Sequence, residues 1–141
     1  MERELIFRAW HRKEKLMYWW NPLWGNYGHG QGYIGMVLVG ESETKRLYKD
    51  NIRLIDPSEC DIMQFTGIKD RDGVEIYEGD IVRYFQPYSK RTDTHIVQWD
   101  EQWACFGLFE KDNRWCKESD WAKIQSLEVI GNIYANPDLL K

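Results

Sequence analysis

Apolar and polar residues alternate along much of this chain with the two-residue period of a half-buried strand. Leu5, Phe7 and Ala9 fall on one face of a first strand and Ile6 and Trp10 on the other. With a turn inside His11-Arg-Lys-Glu14, residues 4–20 read as a hairpin. Apolar groups on both faces imply a strand covered on both sides, or one packed partly against another subunit. Tyr33-Ile-Gly-Met-Val-Leu-Val39 predicts a further strand. Phe65–Ile68, Val74–Tyr77 and Ile81–Phe85 then follow as three short strands separated by two turns. Asp72-Gly73 suits a tight reversal because it tolerates positive φ, and in Glu78-Gly79-Asp80 glycine permits the bend while aspartate bonds its own turn. Further on, Val97 and Trp99 share an inward face, as do Ala104, Phe106 and Leu108. A final strand runs from about Glu128 to Tyr134 and is stopped by Asn136-Pro137, with Leu139 and Leu140 packed back on the body.

Between the strands, Gly25-Asn-Tyr-Gly-His-Gly-Gln-Gly32 has the composition of a flexible loop. Residues 86–94, with Pro87, read as another loop, and Lys111-Asp-Asn-Arg114 as a polar reversal. One short helix is expected over 41–51, anchored by Leu47, and one helical turn over 119–124, capped by Ser119. No internal repeat or linker separates two domains.

The block from Ile62 to Tyr84 resembles the signature of the YopX family, small proteins of bacteriophages and prophages. Glu4-Leu-Ile-Phe-Arg-Ala-Trp10 with Lys15-Leu-Met17 is similar to the family's opening strand pair. Val97-Gln-Trp-Asp100 with Ala104-Cys-Phe-Gly-Leu108 is similar to its central hairpin, and Val129–Leu140 to its closing strand and tail. The segment Trp19–Cys60 matches least. The resemblance implies a largely β structure containing an SH3-like barrel and a phage or prophage origin; it implies no established activity. The expected architecture is therefore a single domain over 1–141, mainly β. An SH3-like barrel from about 60 to 141 is extended by N-terminal strands over 1–59 and by one or two short helices.

A length of 141 residues is about one domain, and 43% hydrophobic with 30% charged residues fits a folded globular chain. Eight Trp, eight Tyr and five Phe favour strands and large buried areas. No apolar run approaches the length of a membrane helix, and charges at Glu2, Arg3 and Glu4 leave no signal-peptide core, so the cytoplasm of a bacterial host cell is the expected location. Cys60, Cys105 and Cys116 are odd in number and widely spaced, as reduced thiols are. The net charge is −4. Residues 1–60 carry nine basic and eight acidic side chains, against ten and fifteen in 61–141. The acidic excess of the later part disfavours strong non-specific nucleic-acid binding, which depends on neutralising phosphates.

Candidate chemistry is sparse. Asp70, Asp72, Glu75, Glu78 and Asp80 are the densest carboxylate group. Glycine arrives too early in Asp70-Arg-Asp-Gly73 for a calcium loop, and Val74 takes a ligand position. Turn formation and solvated hairpin edges account for these acids. No Cys-x-x-Cys or helically spaced His pair suggests zinc, no feature marks an activated thiol, and no glycine fingerprint suggests a nucleotide. Neither a cofactor nor a catalytic residue is expected.

Two aromatic groups carry the functional alternatives. Tyr18, Trp19, Trp20 and Trp24 join a strand to the Gly-rich loop, where not all can be buried, and grouped exposed aromatics favour protein contacts with a host or phage protein or with a second copy. A plainer role for them is to cap the barrel end. Trp99 and Trp103, with Arg83 and Arg114 nearby, are the alternative: barrel-face aromatics beside cations that stack on unpaired bases. Trp103 lies at a bend, where barrels expose side chains. Against this, Trp99 suits the core, Trp103 and Trp115 a shield over the hairpin, and Asp100, Glu101 and Asp112 offset the local positive charge. The expectation is a non-enzymatic protein-interaction module, with single-stranded nucleic-acid binding as the alternative.

Overall fold

The computed structural model describes residues 5–20, 57–86, 90–112 and 126–141. The chain divides into two compact units, Met1–Gln64 and Phe65–Lys141. The expected strand over 33–39, helix over 41–51, glycine loop over 25–32 and helical turn over 119–124 lie outside the described residues.

In the first unit, β1 (Phe7–His11) and β2 (Leu16–Trp20) form the expected hairpin, with Ala9 opposite Tyr18 and His11 opposite Leu16. Lys15 takes φ 58° to close it, and its amide donates to the His11 carbonyl at 2.9 Å. A 3₁₀ turn, Pro57–Glu59, leads into β3 (Cys60–Lys69). The first half of β3 pairs antiparallel with the other edge of β1, Phe7 opposite Gln64 and His11 opposite Cys60. A strand paired on both edges becomes central, and Arg8, Ala9, Trp10 and His11 are all buried, so both faces of β1 are covered as its apolar pattern requires. Tyr18, opposite Ala9 on β2, and Met63, opposite Arg8 on β3, are buried as well.

In the second unit, the rest of β3 pairs with β4 (Glu75–Tyr77). Phe65 faces Tyr77 and Lys69 faces Glu75, so β3 bulges, and Gly67 sits inside the bulge at φ 90°. Thr66 repairs the broken ladder: its Oγ1 donates to the Ile76 carbonyl at 2.8 Å and accepts the Ile68 amide at 3.3 Å. β5 (Asp80–Gln86), β6 (Arg91–Asp100), β7 (Cys105–Phe109) and β8 (Leu127–Asn132) form an antiparallel sheet in the order β7-β6-β5-β8. Gly73 and Gly79 have φ of 83° and 80°, as the two turn motifs demand. Asp80 is buried and accepts the Tyr77 amide at 2.7 Å, the turn bond its position predicts.

The core of this unit is Ile76, Val82, Val97, Leu108 and Leu127, with Ile68, Tyr84 and Val129 partly buried against it. Register explains the set. Val97 faces Leu108 and Val82 faces Val129, so these side chains share one face of the sheet. Ile81, Ile96 and Phe109 are paired in a row on the other face and are buried too. A bulge between β5 and β8 leaves Ile130 as an extra residue, which raises the local twist. The result is mainly β: curled antiparallel strands forming a half-barrel, consistent with the small SH3-like barrel expected.

Several elements differ from expectation. β6 begins at Arg91 because Arg91–Asp93 pair with Tyr84–Gln86, which turns much of the expected loop into strand. Ala104 lies in a turn at φ 49° rather than on an inward strand face. β8 ends at Asn132, where the Asn132 carboxamide oxygen accepts the amides of Tyr134 and Ala135 and bends the chain. The closing 3₁₀ turn, Pro137–Leu140, folds back on Gly131: a Cβ there would come within 2.7 Å of Leu139 Cδ1 and Asn136 Oδ1. Leu139 thus packs back as expected while remaining partly exposed. Among the described residues no helix is long and apolar enough to cross a membrane.

Candidate functional site

The carboxylates that lead the sequence as candidate chemistry are built into the fold. Asp70 is buried, and its Oδ1 accepts the amides of Asp72 at 2.8 Å and Val74 at 2.9 Å. Its Oδ2 accepts the Val129 amide of β8 at 2.9 Å, while the Arg71 amide donates to the Leu127 carbonyl at 3.0 Å. The turn after β3 therefore takes the place of a neighbouring strand on part of β8, and one charged acceptor serves three amides. Hydrogen bonds of this charge-assisted kind contribute about 1.5–3 kcal/mol each.

On the outer face, Glu128 Oε2 accepts from Arg83 Nη2 at 2.7 Å and Nε at 3.2 Å, and from Arg71 Nη2 at 2.7 Å. The Arg83 hydrogen bond, reinforced by the charges of Arg71 and Arg83, holds the Glu128 carboxyl below its usual range. In the first unit, His11 is buried, and its Nδ1 accepts the Glu14 amide at 3.0 Å, which puts the proton on Nε2, 3.3 Å from Glu59 Oε2. With both ring nitrogens engaged, His11 orders the hairpin turn and presents no lone pair to a substrate. Among the described residues no group of three or more His, Cys, Asp or Glu is gathered to hold a metal ion.

What these regions lack is found at the β6–β7 turn. Asp100 Oδ1 accepts the amides of Gln102 at 2.8 Å and Trp103 at 3.0 Å, and Ala104 takes a left-handed φ. This aspartate-built turn holds Trp103 outward at 68% exposure. Trp99, expected on the inward face with Val97, is 44% exposed. It shares that face by register, and the ring rests edge-on against the buried Phe106 with centroids 5.1 Å apart. Two indoles thus stand at one end of the sheet on a fixed backbone.

The expected site residues are therefore dispersed. Tyr18 is buried, with its hydroxyl donating to Glu14 and its ring edge-on to His11, which corrects its reading as a surface anchor. Trp19 and Trp20 lie on β2 opposite Arg8 and Phe7, and Trp24 lies outside the described residues, as does Arg114. Arg83 is not brought to Trp99. It faces Thr94, five residues back along β6, roughly 16 Å at the rise of a strand, and alternation points the two side chains to opposite faces. Trp99 and Trp103 both lie at the β6–β7 end of the sheet, and both are exposed. The signal for Trp103 is its place at a bend, and the signal for its support is Asp100, two residues before Gln102, which acts as a turn acceptor and not only as a charge.

The family model described as YopX protein matches residues 6–141. Among solved structures, protein EF1440 from Enterococcus faecalis is 31% identical with a TM-score of 0.61, over 97% of this chain and 98% of its own. Protein YopX from Bacillus subtilis is 22% identical with a TM-score of 0.54, over 96% and 95%, a likeness of fold. No curated protein matches this chain.

Proposed function

The chain belongs to the YopX family, and from that premise we propose that it is a non-enzymatic binding protein that engages a protein partner. The observation that carries this reading is the exposure of two tryptophans at one end of the sheet, Trp103 on an ordered turn and Trp99 near the end of β6. Exposed tryptophans on a fixed backbone supply large contact area with little ordering cost, which is the usual make-up of interface anchors. The buried carboxylates Asp70 and Asp80 and the imidazole of His11 add support, because each is engaged by backbone groups. A phage or prophage origin, implied by the family resemblance, and action in the bacterial cytoplasm complete the proposal.

Nucleic-acid binding has less support: Arg83 shares Glu128 with Arg71, and the indoles stand beside Asp100 and Glu101. Trp19, Trp20 and Trp24 stay as proposed contributors to a contact with a partner or a second copy; light scattering on Trp24→Ala tests the latter, and an unchanged mass removes it. For the main reading, the wild-type chain and Trp103→Ala are immobilised and exposed to bacterial lysate. A protein retained by the wild type and lost from the variant is the expected result, and equal retention by both would sink the assignment.

A further inference from the structure

We infer that the β6–β7 turn recognises a basic segment of its partner, with an arginine or lysine laid on the exposed indoles. This deepens the binding reading above and rests on it. From Thr92 to Glu110 the chain contains no lysine or arginine, and of its acids Asp100 and Glu101 lie at the turn, whereas Asp93 and Glu110 lie toward the other end of the strands. Lys111 follows Phe109, which pairs with Ile96, so it lies toward the end of β6 away from Trp103. Asp100 and Glu101 immediately precede the turn residues Gln102 and Trp103, and Glu101 is exposed.

The chemistry of that surface is selective. Indole faces attract cations through the ring quadrupole, and guanidinium groups also stack on them. Carboxylates beside the rings favour the same cation and repel phosphate or an acidic chain. The Asp100 bonds to two amides fix where Trp103 leaves the backbone, so the rings are held before the ligand arrives. Trp99 is held as well, by its edge-on contact with Phe106. Aromatic area and negative charge coincide here, whereas Arg83 faces Thr94, five residues along β6 from Trp99, and shares Glu128 with Arg71.

The test uses the full chain labelled with nitrogen-15, with the indole N–H signals assigned through Trp99→Phe and Trp103→Phe. Hexa-arginine, hexaglutamate and an oligothymidylate are titrated separately at low ionic strength. Hexa-arginine is expected to shift the Trp99 and Trp103 signals, and hexaglutamate and the oligothymidylate to leave them in place. Trp103→Ala should weaken hexa-arginine binding about 2- to 5-fold, the range for an exposed cation–π contact. Glu101→Lys should weaken it too, and salt should do the same. Shifts caused equally by the oligothymidylate would replace the inference with nucleic-acid binding. Still indoles, or hexa-arginine affinity unchanged in Trp103→Ala, would overturn it. If the indoles stay still while Trp103→Ala loses a captured protein, the binding reading survives and only the basic-segment inference falls.

Discussion

At Asp70 and at Asp100 one carboxylate oxygen accepts two amides of its own turn. The second oxygen of Asp70 reaches Val129 on β8, so that turn is joined to a distant strand and buried. No such long-range bond is described for Asp100, and its turn projects a tryptophan instead. The same local device thus closes the sheet in one place and displays a side chain in the other. The difference teaches that an aspartate turn takes its role from what its free oxygen meets, something that spacing along the chain does not reveal.

Replacing each carboxylate sharpens the contrast. Asp70→Ala leaves three amides without their acceptor and is expected to lower stability by at least about 4 kcal/mol in urea denaturation. Asp70→Asn should fall between, because an amide oxygen still serves the turn while its NH2 opposes the Val129 N–H. Hydrogen exchange at Val129 should accelerate in both. Asp100→Ala is expected to cost about 1 kcal/mol, as an ordinary hydrogen-bonded turn does. Equal losses at Asp70 and Asp100 would show that the link to β8 contributes nothing.

A smaller effect comes from Glu128, the acid beside the Asp70 turn. Its folded carboxyl titrates below the ordinary 4.5 of the unfolded chain. The unfolded state therefore binds the proton first, and the stabilisation is present above that value and fades as the pH falls through the folded one. Glu128→Gln should flatten this part of the stability–pH curve, whereas an unchanged acid limb would mean that the two arginines are solvated. Least of all should Trp103→Ala alter stability, by less than about 0.5 kcal/mol, since its ring is exposed. A larger loss would make Trp103 part of the fold and weaken its role as a displayed anchor.

Local chemistry was legible in the sequence. Gly73, Gly79 and the Asp80 turn bond follow from conformations that only a few residue types favour, and Trp103 follows from its place at a bend. Long-range closure was not. The partner of Asp70 lies 59 residues away, and Glu128 neutralises Arg83 across 45 residues. The burial of Tyr18 is not legible either, because it comes with the ring contact to His11 across the hairpin and the hydrogen bond to Glu14, not from the run of aromatics around it. Trp99 obeyed its two-residue alternation, but alternation says which face a side chain occupies and not how much of it is covered.

The lysine-free stretch from Thr92 to Glu110 has a practical consequence. Reagents that couple primary amines will pass over this hairpin, so a complex formed there can look empty in a conventional cross-linking survey. Zero-length carbodiimide coupling reverses the picture: an activated Glu101 ester would be captured by a lysine of the bound molecule, and the resulting isopeptide would mark the contact in a peptide mass spectrum.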